Sequence, residues 1–503
     1  MKAGTVYLVG AGPSDVGLLT ERGRQLIESA DVIVYDRLIG TSLLLQLPDS
    51  AELIDVGKRA GNHTLPQADI NRLLLTKAQE GKTVVRLKGG DPFLFGRGGE
   101  ELELLAQHGI PFEVVPGVPS AISVPAYNGI PVTHRDAVSS LHIITGHKRS
   151  GQPLDLDFDA LVNTGGTLVF LMGVSALRDI CAGLLDAGMK PEMPAAILQQ
   201  GTTAGQKRVS ATVSTLPQEV ERQGIATPAI IVVGEVCRYA EQFAWAERRP
   251  LFGARIVVTR PKARIGTLSG LLREQGAEVW EIPAIRTEPI VPNDALTREL
   301  HRLETNQYLV FTSPAGAEVF CEAMLDAGMD IRRLGAGKIA AIGAGTAREL
   351  RKHGILADLV PDVYDAAHLG RTIAADCKGG ERILIVRAKE GSPALIEELS
   401  KAKDVKLVDI PLYETVYETP ARVDLAQAMD AGALDMAVFT SASTVRGFAQ
   451  AAAGADLTGL TAVCIGEQTE QAAQQLGMKT VTAETATVDS LVQAAVRAFS
   501  DRR

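Results

Sequence analysis

The sequence predicts an α/β protein in two halves, the second of them built from two similar α/β lobes. Three observations carry this. Short β-branched runs alternate with stretches of helical periodicity along the chain. A charged stretch with Pro250 and Gly253 interrupts the pattern, placing the main boundary at about residue 250. Beyond it, several segments recur in the same order: Arg255 to Arg382 spans 127 positions and Phe311 to Phe439 spans 128.

A chain of 503 residues exceeds one hydrophobic core and predicts two to four domains. Its 46% hydrophobic and 22% charged residues are those of an ordinary globular protein. A net charge of −9 argues against nucleic acid as a partner, and 4% aromatic residues argue against base-stacking platforms. Cys181, Cys237, Cys321, Cys377 and Cys464 are dispersed without a CxxC pair. They predict buried, reduced thiols in a cytoplasmic protein, and no metal site. No apolar run reaches the length of a membrane span, and "MKAGTVYLVGAG" enters a strand directly, unlike a signal peptide.

In the first half, strands are expected at Val6–Val9, Val32–Tyr35, Thr83–Leu87, Leu141–Ile144 and Leu168–Met172. "GEELELLAQHG" reads as a helix ended by Gly109, and "PAIIVVGEV" as a late buried strand. This alternation predicts a mostly parallel core sheet. The first loop, "VGAGPSDVG", supplies two glycines of a dinucleotide fingerprint, Gly10 and Gly12. Asp15 occupies the third glycine's place and Pro13 has no N–H to offer a pyrophosphate, so a nicotinamide enzyme is excluded.

A second glycine cluster, "VVRLKGGDPFLFGRGGEELELL", would let a ligand approach bare main chain. Its companions are "YDRL", "GKRAGNH", "VVPGVPSA", "GIPVTHR", "TGHK", "LMG", "QGTT" and "TPAIIVVGEV". In this order, over nearly all of residues 1–250, they closely resemble the uroporphyrinogen-III C-methyltransferases of the tetrapyrrole methylase family. The resemblance implies two small α/β subdomains with S-adenosylmethionine in the cleft between them. It implies cofactor contacts from Pro13, Gly89, Gly90, Asp91, Leu94, Pro119, Ser120, Met172, Gly201, Pro228 and Ala229. Asp36 and Lys58 match the positions proposed as proton acceptor and donor. Ser14, Val16 and Pro119 depart from the family's commoner residues. An octacarboxylate substrate needs local cations, for which Arg59, His63, His134, Arg135, His147, Lys148 and Arg149 are candidates. A homodimer through this half is also implied.

The second half pairs "YLVFTSPAGAEVF" with "MAVFTSASTVRGF", and "KIAAIGAGTAREL" with "TAVCIGEQTEQAA". With "PLYET", these motifs resemble uroporphyrinogen-III synthase over about 253–500. The implied fold is a pair of flavodoxin-like lobes: lobe A from 253–286 plus 420–503, lobe B from 287–416. The two crossings, near "IPAIRT" and "IPLYET", would form the hinge. Such an enzyme closes hydroxymethylbilane with loss of water and inversion of its last ring. Thr312, Ser313, Thr346, Ser441, Ser443 and Thr469 are candidates to receive carboxylate arms at helix N-termini. Tyr413 matches the family tyrosine thought to assist departure of the hydroxyl, and the repeat aligns it with Ile285. Paired lobes equally suit a non-catalytic tetrapyrrole carrier or sensor, which stays open as an alternative.

Overall fold

The computed structural model describes residues 3–57, 65–146, 154–259, 262–418 and 422–502. Their strands form four five-stranded sheets. The first contains β1 (Val6–Gly10), β2 (Val32–Tyr35), β3 (Glu52–Asp55), β4 (Val84–Lys88) and β5 (Phe112–Val115) in the order β3-β2-β4-β1-β5. All its pairings are parallel. The second contains β6 (Leu141–Thr145), β7 (Thr167–Leu171), β8 (Pro194–Gln199), β9 (Lys207–Thr212) and β10 (Ala229–Val233) in the order β6-β7-β10-β8-β9. Here β6 and β7 are parallel and the other three pairings antiparallel.

The two sheets are those of the two α/β subdomains the resemblance implies, but the mostly parallel pattern holds for the first alone, and the second is mixed. Residues 200–206, which join β8 to β9, are too few for a parallel crossover, which needs a dozen or more. The five proposed strands fall within one residue of β1, β2, β4, β6 and β7. β10 is buried along its whole length, as a central strand covered on both faces should be. The helix Gly98–Gln107 ends with Gly109 at φ 65°, a left-handed position that suits glycine.

In the second half, β11 (Arg255–Val258) and β12 (Glu278–Glu281) share a sheet with β18 (Met436–Phe439), β19 (Thr461–Cys464) and β20 (Lys479–Thr482). The intervening strands are β13 (Ile285–Pro289), β14 (Tyr308–Phe311), β15 (Lys338–Ala341), β16 (Arg382–Ala388) and β17 (Lys406–Tyr417). They form the fourth sheet, in the order β13-β17-β16-β14-β15. The order β12-β11-β18-β19 in one sheet repeats as β17-β16-β14-β15 in the other. Phe311 meets Phe320 edge-on at 5.4 Å, and their repeat equivalents Phe439 and Phe448 do the same at 5.6 Å.

The crossing strands pair with each other. Antiparallel β13 and β17 set Ile285 opposite Tyr417, Thr287 opposite Thr415 and Pro289 opposite Tyr413. The repeat carries position 285 to 413, 287 to 415 and 289 to 417. Thr287 and Thr415 thus sit on the local two-fold axis between equivalent segments. β13 begins at Ile285, two residues before the lobe boundary read from the sequence, because its ladder with β17 extends to Tyr417.

Candidate functional site

A cavity of about 960 Å³ opens beside the C-terminal ends of β1, β2 and β4 and reaches the residues that follow β7 and β8. In open α/β sheets ligands bind at these strand ends. Among its lining residues are Pro13, Asp36, Gly89, Gly90, Leu94, Ser120, Met172, Gly201, Pro228 and Ala229. Gly89, Gly90 and Gly201 contribute main chain to its walls. The chain behind them packs closely: a Cβ on Gly117 would lie 2.2 Å from the Gly90 carbonyl oxygen, and one on Gly201 would lie 2.3 Å from Val124 Cγ1.

The backbone around the cavity is also strained. Among the described residues, seven non-glycine residues have positive φ: Ser14, Phe95, Arg97, Met172, Gln200, Thr202 and Asp404. All but Asp404 line this cavity. Such conformations cost of order 1–3 kcal/mol each and gather where a ligand site over-determines the chain.

Asp15, which broke the dinucleotide pattern, has a structural task. Its Oδ1 accepts from the Gly17 N–H at 2.8 Å and its Oδ2 from the Tyr127 hydroxyl at 2.7 Å. Burial, with Asp15 beside it, pushes the Tyr127 phenol well above its ordinary value. Asp91 is similarly engaged, accepting from the N–H groups of Phe93, Leu94 and Gly117 at 2.8, 3.2 and 3.1 Å. It holds the glycine loop. Pro119 immediately precedes the helix Ser120–Tyr127.

Asp36 caps the short helix Arg37–Ile39, its Oδ1 accepting from Leu38 N–H at 3.1 Å. Its Oδ2 faces Arg86 Nη2 at 3.3 Å. Arg86 and Lys88, on one face of β4, are 4% and 5% exposed, and both line the cavity. Between them lies the fully buried Glu101, whose Oε1 accepts from Lys88 Nζ at 2.8 Å, Arg86 Nε at 3.2 Å and Gln67 Nε2 at 3.2 Å. Burial and then the Arg86 charge pull the Lys88 ammonium below its ordinary value, with Glu101 opposing. Two buried cations thus share one buried carboxylate, and the free arm of Arg86 holds Asp36 at the cavity wall. Sequence reasoning missed this group. The available signal was Arg and Lys two apart inside the apolar run "VVRLK", which places both on one strand face.

Of the other expected cations, the two described ones, His134 and Arg135, are not among the residues lining the cavity. Arg135 is exposed, and His134 stacks on Tyr239 at 4.6 Å. Lys58, Arg59, His63, His147, Lys148 and Arg149 lie outside the described residues.

In the second half, Tyr413 is 7% exposed within the core beside β14, and its hydroxyl meets Ser313 Oγ at 2.8 Å. Ser313 also caps the helix Pro314–Asp326, accepting from Gly316 N–H at 2.9 Å. Its repeat equivalent Ser441 caps Ala442–Ala451 on the other lobe. Thr312 and Ser443 flank these caps, half-buried. Thr346 and Thr469 are buried in the first turns of helices capped by Gly343 and Gly466 without a side-chain bond. Those helix ends therefore present backbone N–H groups outward.

Fold and site define a two-part α/β enzyme, one part walled by glycines around a small-molecule cleft, the other a pair of repeat-related lobes. Residues 5–217 match the family of Tetrapyrrole (Corrin/Porphyrin) Methylases, and residues 266–493 match Uroporphyrinogen-III synthase HemD. The chain is 45% identical over 492 residues to the porphyrin biosynthesis protein HemD of Ruminiclostridium josui, covering 98% of this chain and 97% of that one. It is 42% identical over 365 residues to the uroporphyrinogen-III C-methyltransferase of Bacillus subtilis, covering 72% and 74%. It spans about half of the siroheme synthase of Methylobacillus flagellatus, at 51% identity over 247 residues. Among solved structures, uroporphyrin-III C-methyl transferase of Thermus thermophilus, complexed with S-adenyl homocysteine, is 39% identical with a TM-score of 0.40. The match covers 47% of this chain and 99% of that one. The chain belongs to the porphyrin-biosynthesis family that fuses a tetrapyrrole methylase to a uroporphyrinogen-III synthase. Among the described residues, no helix is long and apolar enough to cross a membrane.

Proposed function

We propose that the second half closes hydroxymethylbilane to uroporphyrinogen III, inverting ring D, and that the first half methylates this product twice, through precorrin-1 to precorrin-2. We assign residues 1–250 to methyl transfer and 251–503 to ring closure, with the lobes divided as 253–286 plus 420–503 and 287–416. One observation carries the methylase reading: the cavity at the strand ends, lined in part by Gly89, Gly90 and Gly201, where six strained residues converge.

The residues present fit S-adenosylmethionine. Gly89, Gly90 and Gly201 bring backbone to the cavity, and Pro13, Leu94, Met172, Pro228 and Ala229 offer apolar contact. When bound, that cofactor supplies an already activated methyl group. The protein's task is to align a pyrrole carbon with it and to manage the proton released. Asp36, held in place by Arg86, receives that proton, and Lys58 is the donor in the tautomer shift of the methylated ring, where a proton added at one position replaces one removed at another. Ring closure needs the linear substrate folded and its cationic intermediate stabilised. Tyr413, hydrogen-bonded to Ser313, assists the departing hydroxyl, while Thr312, Ser441 and the helix ends at Thr346 and Thr469 receive carboxylate arms. The tetrapyrrole's remaining carboxylates fall to Arg59, His63, Arg135, His147 and Lys148.

The protein acts in the cytoplasm, its thiols reduced, as a homodimer through the first half. Light scattering of the purified chain checks the dimer. The deciding experiment supplies hydroxymethylbilane with and without S-adenosylmethionine. Uroporphyrinogen III alone in the second case and a dimethylated product in the first are expected. An unchanged substrate in both would end the proposal.

A further inference from the structure

The far wall of the methyl-donor cavity does not come from the first half. Arg255, Arg273, Glu278 and Trp280, from β11, β12 and the helix before β12, line it. Glu278 is the junction. Its Oε2 accepts from the Ala204 N–H at 2.8 Å and from Arg255 Nη2 at 3.1 Å, and its Oε1 accepts from Trp280 Nε1 at 2.9 Å. The Glu278 side chain is only 13% exposed. Ala204 lies in the loop that carries Gly201. That loop is strained at Gln200 (φ 45°) and Thr202 (φ 70°), so it keeps its shape only if its surroundings hold it. From the first half, Gln206 Oε1 accepts from Thr202 N–H at 2.9 Å, and the Thr202 hydroxyl donates to the Pro13 carbonyl, joining this loop to the first one. The tether at Ala204 comes from the second half.

We propose that Glu278 is a positioning residue for methyl transfer: the synthase half holds the Gly201 loop in its ligand-ready form through the Ala204 amide. Methyl-donor affinity then depends on a residue of the other enzyme. By linkage, the donor in turn tightens the contact between the halves. This rests on the reading of the first half as an S-adenosylmethionine-dependent methylase. Contact between the halves survives loss of Glu278, because Arg422 separately donates to the Leu45 and Leu47 carbonyls and pairs with Asp49 at 2.6 Å, while Leu45 packs on the lobe A core.

The test compares Glu278→Ala, which removes both acceptors, with Glu278→Gln, whose one carbonyl oxygen still accepts from Ala204 while the acceptor for Trp280 is lost, both in the full chain. Calorimetry with S-adenosylhomocysteine and the KM and kcat of methyl transfer are read beside ring closure of hydroxymethylbilane. The alanine variant is expected to lose about tenfold in donor affinity and to show a donor KM raised about tenfold, the worth of one charge-assisted hydrogen bond. Its kcat and its ring-closure rate stay within about twofold, and glutamine restores most of the affinity. Equal affinity in the alanine variant overturns the proposal, as does a parallel loss of ring closure. If Glu278→Ala does not fold, Glu278→Asp keeps the charge beside Arg255 but shortens the reach to Ala204, and unchanged affinity there overturns it equally. Failure of the unaltered chain to bind S-adenosylhomocysteine would instead sink the methylase reading.

Discussion

Replacing Tyr413 by Phe separates a chemical role from a packing role. The phenyl ring keeps its place among the core residues of the fourth sheet, so no cavity forms. The lost hydroxyl breaks the 2.8 Å contact with Ser313, yet Ser313 Oγ retains the Gly316 N–H at 2.9 Å. Ser313 Oγ is thus not stranded, and losing this contact costs about 1 kcal/mol, or about 2–4 °C in Tm for a domain this large. Were that the whole effect, ring closure would slow by no more than about tenfold. A phenol that delivers a proton to the departing hydroxyl contributes about 10²–10⁴-fold. The assay is the initial rate of uroporphyrinogen III formation from hydroxymethylbilane at saturation. Methylation of supplied uroporphyrinogen III is the internal control and should not change. Closure within about tenfold of the unaltered chain would refute the proton-delivery role.

Glu101→Ala leaves Arg86 and Lys88 buried without their shared carboxylate, and urea unfolding should register a loss of about 3–5 kcal/mol. Glu101→Gln, which keeps an acceptor, should cost less. Gly201→Ala drives a Cβ into Val124, so it should destabilise by about 1–3 kcal/mol and abolish tight donor binding, and Val124→Ala should relieve both effects in a binding titration. Arg135→Ala should weaken tetrapyrrole binding more than cofactor binding, and parallel titrations showing equal losses would exclude a substrate role.

Acid should loosen lobe B. Burial opposes ionisation of Glu299, but hydrogen bonds from Arg382 and Arg302 outweigh it and hold its carboxyl below the ordinary 4.5. A carboxyl depressed in the folded chain contributes stability above its unfolded pKa and loses it as pH falls through the folded one. Thermal melts taken below pH 4.5 should therefore fall more steeply for the unaltered chain than for Glu299→Gln.

Most strand positions were legible in the sequence because they depend on local pattern. Runs such as "VIVY" and "AIIVV" have nowhere to go but a sheet interior, and Gly109 marked its helix end through a backbone need that acts within a few residues. The duplication was equally legible, since equivalent strands need equivalent cores. The glycine-walled cavity was foreshadowed by "GAGP" and "KGGD", whose chemistry is that of an absent Cβ.

What neighbours across the fold decide was not readable. The mixed second sheet depends on which strands β10 inserts between, and the crossing of β13 and β17 on partners as far apart in sequence as Ile285 and Tyr417. Asp91 accepts from three backbone N–H groups that converge only in the folded loop, a task its sequence neighbours do not announce. Arg86, Lys88 and Glu101 form one buried group only because a helix lays its glutamate against β4. Glu278 reaches Ala204 across 74 residues of sequence. Hydrophobic periodicity acts along the chain over a few residues, whereas charge pairing and hydrogen bonding across a cavity act through space. The sequence alone therefore determined the elements and the bare walls of the site, and tertiary structure decided which charges stand there and which half of the chain holds them.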